Sequence, residues 1–249
     1  MITLPKVETL KPKNQPHNFF IWGETMSGKS YFAGYFPNPL VLNTDGNSEQ
    51  GQAPSIQIRN LRDANGNLKQ SAIKQLDDII IALQNQSGPQ KFQTLVIDVV
   101  DDICVMIEQA ICLENGVQSL GDMGYGRGYA MFNSTLQQFV MDLKALPMNV
   151  IYISREISIT DEETGKTERK QSLKDKYYNV INGNCDLVIR TSKVGQGQNI
   201  TYYREVKAVR TKYEPENITD KRVLHLLKSC HGMFSKEQLE RIKKEEVKK

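Results

Sequence analysis

The stretch from Gly23 to Ser30 constrains the fold more than any other part of the sequence. It is Gly-Glu-Thr-Met-Ser-Gly-Lys-Ser and matches the pattern GxxxxGK[ST] at every fixed position. An apolar run from His17 to Trp22 precedes it and an aromatic segment up to Pro37 follows, so the predicted order is strand, glycine-containing turn and helix. A phosphate-binding loop requires this order, because its glycines let successive backbone N–H groups point at one anion.

Short apolar segments continue to alternate with segments of helical periodicity. After the loop the predicted elements are strand 39–44, helix 68–86, strand 92–98, helix 101–114, a helix ending near 146 and strand 149–154. This alternation predicts an α/β fold with a mainly parallel central sheet flanked by helices on both faces. Two later strands, 185–190 and 199–209, are joined by a short glycine loop and predict an antiparallel hairpin that extends the sheet at its C-terminal end.

The composition is that of a folded protein without a membrane segment. Of the 249 residues, 39% are hydrophobic and 24% are charged, which is typical of globular chains rather than disordered ones. The apolar runs are far shorter than the roughly 20 residues of a membrane helix, and the first residues lack the apolar stretch of a secretory signal. We therefore expect a cytoplasmic protein with no membrane partner. A net charge of +3 is too small to decide for or against nucleic acid.

The loop and a later strand supply side chains suited to phosphate and metal. Lys29 would place its ammonium on the terminal phosphates of ATP, and the Ser30 hydroxyl would ligate Mg²⁺. The buried strand Leu95-Val96-Ile97 ends in Asp98, a carboxylate that such a metal also needs. The sequence therefore predicts ATP and Mg²⁺ as cofactors. The residues predicted to contact the nucleotide are Gly23, Glu24, Thr25, Met26, Ser27, Gly28, Lys29, Ser30 and Tyr31.

Hydrolysis would also need a group that orients the attacking water. Asp45 follows strand 39–44, which we expect to emerge beside the first strand at the phosphates. Asp45 is equally compatible with a plain turn residue of the pair Asp45-Gly46, and the residues alone leave both interpretations open. Asp101 and Asp102 are predicted to start and cap the next helix.

Together these features resemble the RecA core, and more narrowly the small phage nucleotide-binding proteins with a RecA-like core that act in single-strand annealing and recombination. The resemblance covers residues 17–213, the predicted ATPase core. The Pro- and Lys-rich residues 1–16 predict an N-terminal arm, and residues 214–249 predict a charged helical tail. In RecA-type ATPases a catalytic acid follows the strand after the P-loop helix, and Asp45 matches that position in place of the usual Glu. Arg155 matches a γ-phosphate sensor that is usually Gln or His, and its alternative is an ion pair with Glu156.

The resemblance also implies two segments that contact single-stranded DNA. The glycine-rich segment 121–129 corresponds to a mobile loop, and its alternative is a connector without a ligand. The segment 160–182 corresponds to a second loop, but residues 161–176 hold five basic and five acidic residues, so a solvated hairpin is its alternative. Aromatic and basic side chains there would suit base stacking and backbone contact. The residues implied are Tyr125, Arg127, Tyr129, Arg169 and Lys170.

Assembly is a further implication of the resemblance. Arg210 and Lys212 match positions from which RecA subunits extend cations onto the ATP of a neighbour, so a homo-oligomeric ring or filament is expected. The alternative is an edge strand protected by charges. The charged helix predicted from Ser235 onward is compatible with a solvated terminal helix, and its alternative is a surface for a partner such as a single-strand-binding protein.

Three functions are compatible with these features. The first is an ATP-binding, ATP-hydrolysing protein that binds single-stranded DNA in phage recombination, annealing or replication, in the host cytoplasm if it is phage-encoded. The second is a P-loop kinase that phosphorylates a nucleotide or small metabolite, for which only the mixed-charge segment 160–176 could form a lid. The third is a non-hydrolysing module in which ATP switches assembly.

Overall fold

Strands and helices alternate through most of the chain in the computed structural model, which describes residues 15–46 and 51–247. The strands are β1 (Asn18–Gly23), β2 (Pro39–Asn43), β3 (Ser55–Gln57), β4 (Leu61–Arg62), β5 (Leu68–Gln70), β6 (Thr94–Asp98), β7 (Asn149–Thr160), β8 (Thr167–Gln171), β9 (Leu187–Val194) and β10 (Thr201–Val209). The α-helices are α1 (Lys29–Gly34), α2 (Ala72–Gln84), α3 (Val100–Glu114), α4 (Arg127–Ala145), α5 (Asp175–Asn182), α6 (Lys221–Lys228) and α7 (Lys236–Val247).

The main sheet has the order β10-β9-β1-β7-β6-β2-β3, and β8 pairs with the outer half of β7. All neighbours from β9 to β3 are parallel, whereas β10 is antiparallel to β9 and β8 is antiparallel to β7. The predicted α/β fold, with a mainly parallel central sheet and an antiparallel C-terminal hairpin, is therefore confirmed. The carboxyl ends of the parallel strands meet at one end of the sheet, called here the carboxyl end.

The strand order corrects one expectation. β2 is not beside β1, because β7 and β6 lie between them. The end of β2 is instead joined to β6, where the Thr44 backbone N–H donates to the Asp98 carbonyl over 3.1 Å.

Helices cover both faces of the sheet. On β1, Phe20 and Trp22 pack on the face covered by α2 to α5, while Phe19 and Ile21 pack on the face covered by α1 and α6. This two-sided burial explains why β1, β6 and the first half of β7 are continuous apolar runs rather than alternating ones.

The C-terminal residues also pack on the core. Val223 and Leu227 of α6 are buried in the same layer as α1, and Ile242 of α7 is 6% exposed. The helix predicted from Ser235 is present as α7, whereas α6 was not predicted. The predicted arm at 1–16 lies outside the described residues except for its last two positions. None of the helices in the described ranges has the length and apolar character that a bilayer crossing requires.

The predicted helix 68–86 begins later than expected. Leu68 to Gln70 form β5, which pairs with β4 in a separate two-stranded sheet. The helix starts after Ser71, whose side chain accepts a hydrogen bond from the Lys74 N–H and so provides the N-cap.

Candidate nucleotide-binding site

The P-loop joins β1 to α1 at the carboxyl end of the sheet. Gly28 caps α1 with φ 83° and ψ 23°, a left-handed conformation that glycine adopts without strain. Gly23 lies so close to β9 that a Cβ on it would be 2.2 Å from the Thr191 carbonyl oxygen. The buried hydroxyls of Ser27 and Thr191 form a hydrogen bond of 2.6 Å. The loop is therefore held against β9 before any ligand binds.

Lys29 folds over this loop. Its Nζ donates to the carbonyl oxygens of Gly23 and Glu24, both at 2.8 Å. Burial lowers the pKa of Lys29, and the nearby charges of Asp98 and Glu156 act against that shift. The ammonium is thus held among the loop carbonyls, where it can exchange them for phosphate oxygens.

Ser30 and Asp98 meet at the ends of α1 and β6. The Ser30 hydroxyl lies close enough to the Asp98 carboxylate to lower the pKa of that group. Burial raises the pKa of Asp98 and the nearby Asp45 charge adds to the rise, while the Ser30 hydroxyl and the charges of Lys29 and Arg155 lower it. A hydroxyl and a carboxylate close together beside a phosphate-binding loop are the hard oxygen ligands that Mg²⁺ prefers, so these residues fit the metal.

The remaining predicted nucleotide contacts lie on the loop and the first turn of α1. Thr25 and Met26 are exposed, and Met26 has a positive φ of 61°. The Glu24 carboxylate accepts a hydrogen bond of 3.1 Å from the Lys193 backbone N–H of β9. Tyr31 is exposed, and its hydroxyl accepts a bond of 2.6 Å from Tyr35.

Asp45 reaches the site from β2. It is exposed, and its charge acts on Asp98, so the two carboxylates lie near each other, because β2 is the direct neighbour of β6 in the sheet. The turn around it is built by Asn43, whose side chain accepts from the Gly46 N–H at 3.0 Å. Asp45 is therefore both part of a turn and close to the predicted metal ligand.

Arg155 extends from β7 into the same region but binds a different acid from the one suggested. Its guanidinium donates to both carboxylate oxygens of Asp102, at 2.6 and 2.7 Å. The alternative pair with Glu156 is wrong, because Glu156 accepts two bonds from Arg190 at 2.8 and 3.2 Å. Hydrogen bonding to Arg155 lowers the pKa of Asp102 and raises that of Arg155.

The predicted capping role of Asp101 and Asp102 is also wrong. Val99 is the N-cap of α3, and no side chain caps the helix. Asp101 instead accepts hydrogen bonds from the Ser154 hydroxyl at 3.1 Å and from the Arg155 backbone N–H at 3.3 Å. Both carboxylates face β7 because that strand is the neighbour of β6 in the sheet.

The segment 121–129 is more regular than a mobile loop. A 3-10 helix spans Leu120–Met123, and a capping box between Ser119 and Asp122 fixes its start. Arg127 and Tyr129 lie in the first turn of α4, and Tyr125 is fully exposed just before it. The expectation of an irregular loop is corrected, and DNA contact by these residues stays a prediction.

The segment 160–182 also has regular structure, and its first part forms the hairpin that was the alternative to a DNA-binding loop. β7 continues to Thr160, turns through the polar residues 161–166 and returns as β8, after which α5 follows. Arg169 and Lys170 lie on β8, where Arg169 is 3.8 Å from Glu156 and Lys170 is 3.6 Å from Asp175. Their role toward DNA stays a prediction.

Arg210 and Lys212 lie at the opposite end of the sheet from the P-loop. β10 is antiparallel to β9 and pairs Val209 with Leu187, the first residue of β9. The Arg210 guanidinium donates to the carbonyls of Gly183 and Cys185 at 2.6 to 3.0 Å. Lys212 is 79% exposed and lies 2.7 Å from Glu214. Neither side chain faces the P-loop of its own subunit.

Sequence reasoning missed the contribution of β9 to the site. The Thr191 hydroxyl is hydrogen-bonded to the Ser27 hydroxyl of the P-loop. Arg190 forms an ion pair with Glu156, and its guanidinium lies 5.5 Å from the centre of the Trp22 ring. One signal was available: Arg190 is a charge at the end of the apolar run Leu187 to Ile189, the same pattern that identified Asp98.

Comparison with known proteins agrees with this geometry. A family model described as an AAA domain matches residues 15–230, which is most of the chain. The chain belongs to this AAA domain family. No curated protein matches this AAA-domain chain. Among solved structures it is similar to a KaiC-like protein from the hyperthermophilic archaeon Pyrococcus horikoshii OT3, with 12% identity, a TM-score of 0.43 and coverage of 78% of this chain and 80% of that one. Family and architecture together make the chain a P-loop NTPase.

Proposed function

We propose that this P-loop NTPase binds ATP with Mg²⁺, hydrolyses it, and couples turnover to single-stranded DNA in phage recombination, annealing or replication. The observation that carries the nucleotide part is the meeting of Lys29, Ser30 and Asp98 at the carboxyl end of the sheet. Parallel sheets place their ligand sites at this end.

Each residue then has a defined task. Lys29 exchanges its loop carbonyls for phosphate oxygens and offsets their charge, and Ser30 and Asp98 hold the metal. The metal neutralises phosphate charge and orients the reacting groups when bound. Asp45 orients the water that attacks the terminal phosphorus and takes its proton, while the bond to the bridging oxygen breaks and ADP leaves.

Arg155 is the candidate sensor in this scheme. It is held by Asp102 through two hydrogen bonds, and Asp102 also accepts one of 2.9 Å from the Thr44 hydroxyl beside Asp45. A negatively charged terminal phosphate competes with Asp102 for the guanidinium. Arg155 lies on β7, which continues directly into the β7–β8 hairpin.

The DNA part is supported by exposed side chains on two separate elements. The hairpin presents Arg169 with 56% of its side chain exposed, and Tyr125 is fully exposed before α4. Cations and an aromatic ring of this kind suit the backbone and the bases of a single strand. Because the charges are few, we expect weak binding per subunit that assembly strengthens and salt weakens.

The first test is steady-state ATPase activity with and without single-stranded DNA, for the wild type and Lys29→Ala. We expect turnover that rises with DNA and is lost in Lys29→Ala, because that variant lacks the phosphate-binding cation. Lys91→Ala, a change of an exposed lysine outside the site, is the matched control and should retain wild-type turnover.

Other outcomes would favour the alternatives. Transfer of phosphate to a nucleoside monophosphate without DNA would contradict the ATPase proposal and support a kinase. ATP binding without turnover under all conditions, accompanied by a change of oligomeric size, would support a non-hydrolysing assembly module.

A further inference from the structure

The side chain of Tyr202 lies beside the P-loop, although it comes from β10, the outermost strand on that side of the sheet. Its ring carbons Cδ1 and Cε1 lie 3.6 and 4.0 Å from the position that a Cβ on Gly28 would occupy. Half of the residue, 50%, stays exposed to water. The ring therefore touches the loop at a glycine and keeps free aromatic surface beside it.

Strand alternation fixes the direction of this ring. Arg204, two residues on, has its guanidinium 4.6 Å from the centre of the Phe32 ring in α1, and Val206 packs on the same hydrophobic layer. Tyr202, Arg204 and Val206 thus share the face of β10 that carries α1. Tyr203 and Glu205 occupy the other face, where the Glu205 charge acts on Arg190.

The position of Tyr202 relative to the loop is fixed by backbone contacts. Tyr202 is paired in register with Lys193 of β9, and the Lys193 backbone N–H donates to the Glu24 carboxylate of the P-loop. Loop and hairpin are therefore joined next to the ring. Two other exposed tyrosines, Tyr31 in α1 and Tyr35 directly after it, differ, because their ring centres lie 4.7 Å apart and the rings pack on each other.

We infer that Tyr202 is a ligand-contacting residue that stacks on the base of the bound nucleotide, an inference that rests on the proposed function. A nucleotide whose phosphates occupy the loop carries its base away from them, and a half-exposed ring touching the loop offers that base a flat apolar partner. Stacking of this kind tolerates different bases, since each has a π-face. Tyr202 accordingly adds affinity for nucleotides without selecting adenine over guanine.

The test compares ligands with and without a base. Dissociation constants are measured for MgATP, MgGTP and inorganic tripolyphosphate with Mg²⁺, using the wild type, Tyr202→Ala, Tyr202→Phe and Tyr203→Ala. We expect Tyr202→Ala to weaken ATP and GTP by about tenfold and to leave tripolyphosphate unchanged, because only the base loses its partner. Tyr202→Phe should keep wild-type affinity, since the ring remains.

Tyr203→Ala is the matched control, because Tyr203 is equally exposed, at 51%, on the opposite face of the same strand. It should bind all three ligands like the wild type. Equal weakening of ATP and tripolyphosphate in Tyr202→Ala would overturn the inference and make the ring a support for the loop. Unchanged ATP affinity would overturn it too. If the wild type bound neither ligand, the proposed function would fall, and the inference with it.

Discussion

Asp98 is partly buried at the carboxyl end of the sheet, near a second acid, Asp45. Burial and the Asp45 charge raise the pKa of Asp98 more than the Ser30 hydroxyl and the nearby cations lower it. A carboxyl group whose folded pKa exceeds its unfolded pKa lowers stability as pH rises through the interval between the two values. At neutral pH Asp98 therefore lowers the stability of the protein without its metal.

Replacing this carboxylate should stabilise the metal-free protein. We expect Asp98→Asn to raise the metal-free stability at pH 7 by an amount on the order of 1 kcal/mol, or ~2–4 °C in Tm. The same variant should lose the additional Tm increase that MgATP gives the wild type, because it lacks the metal-binding carboxylate. Thermal unfolding in EDTA and in MgATP measures both effects.

Asp102→Asn is the control of opposite sign. The pKa of Asp102 in the wild type is lowered, mainly by the hydrogen bond from Arg155. The Asp102 charge therefore stabilises the fold at pH values above its unfolded pKa, and this stabilisation is lost as the pH falls through its folded pKa. This variant should lower Tm at pH 7. A metal-free Tm of Asp98→Asn below that of the wild type would contradict the account of Asp98.

Among the elements, the P-loop has little freedom because it is packed on β9. A methyl group on Gly23 would meet the Thr191 carbonyl oxygen at 2.2 Å and the Thr191 Oγ1 at 2.4 Å. Both atoms belong to a strand that is paired on two sides, so neither can retreat easily.

Gly23→Ala should consequently lower the free energy of unfolding by roughly 1–3 kcal/mol, the usual range for overpacking. Gly34→Ala is the matched control in α1, since a Cβ there meets nothing within 4 Å. It should be neutral or stabilising by up to about 1 kcal/mol, because alanine favours a helix over glycine. Urea unfolding of both variants checks this, and equal stability of the two would contradict the close packing described for β9.

Elements with local signals were predictable from the sequence. β1, β2 and β6 are apolar runs bounded by turns, and the P-loop pattern fixes the spacing between Lys29 and β1. β8 carried no such signal, because Thr167–Gln171 is polar and becomes a strand only by pairing with β7. The alternation of Ile157 and Ile159 with polar residues could have extended β7 into the predicted loop.

The candidate site was predictable to the extent that its residues belong to sequence motifs. Lys29, Ser30 and Asp98 come together as expected. The Arg155–Asp102 pair depends on β7 lying beside β6, and the Thr191 and Tyr202 contacts depend on β9 lying beside β1 and β10 lying beside β9. Strand order joins residues more than 50 positions apart, as between Asp102 and Arg155, and no local pattern specifies it.

At the scale of the whole molecule, the P-loop and the predicted interface cations occupy opposite ends of the sheet. A cation at the amino end could act only on another copy of the chain. Arg210 is a poor probe of this idea, because its guanidinium binds the Gly183 and Cys185 carbonyls and its loss would remove these hydrogen bonds within the subunit. Lys212, which is largely exposed, is the better probe.

Mixing two variants tests action between subunits. Lys29→Ala should lack turnover, and Lys212→Ala should bind ATP normally but turn it over more slowly, if the lysine acts on a neighbour's phosphates. In an equal mixture, a Lys212→Ala subunit with an intact P-loop can lie next to a Lys29→Ala subunit that still has Lys212. We expect the mixture to exceed the mean of the two separate rates, and a rate equal to that mean would contradict action in trans.

The position of Trp22 gives the molecule a built-in optical probe. It is the single tryptophan of the sequence, it directly precedes Gly23 of the P-loop, and the Arg190 guanidinium lies over its ring. Its fluorescence therefore reports on this end of the sheet alone. Ligand occupancy of the loop can be followed by intrinsic emission, in the unmodified protein and without a labelled nucleotide.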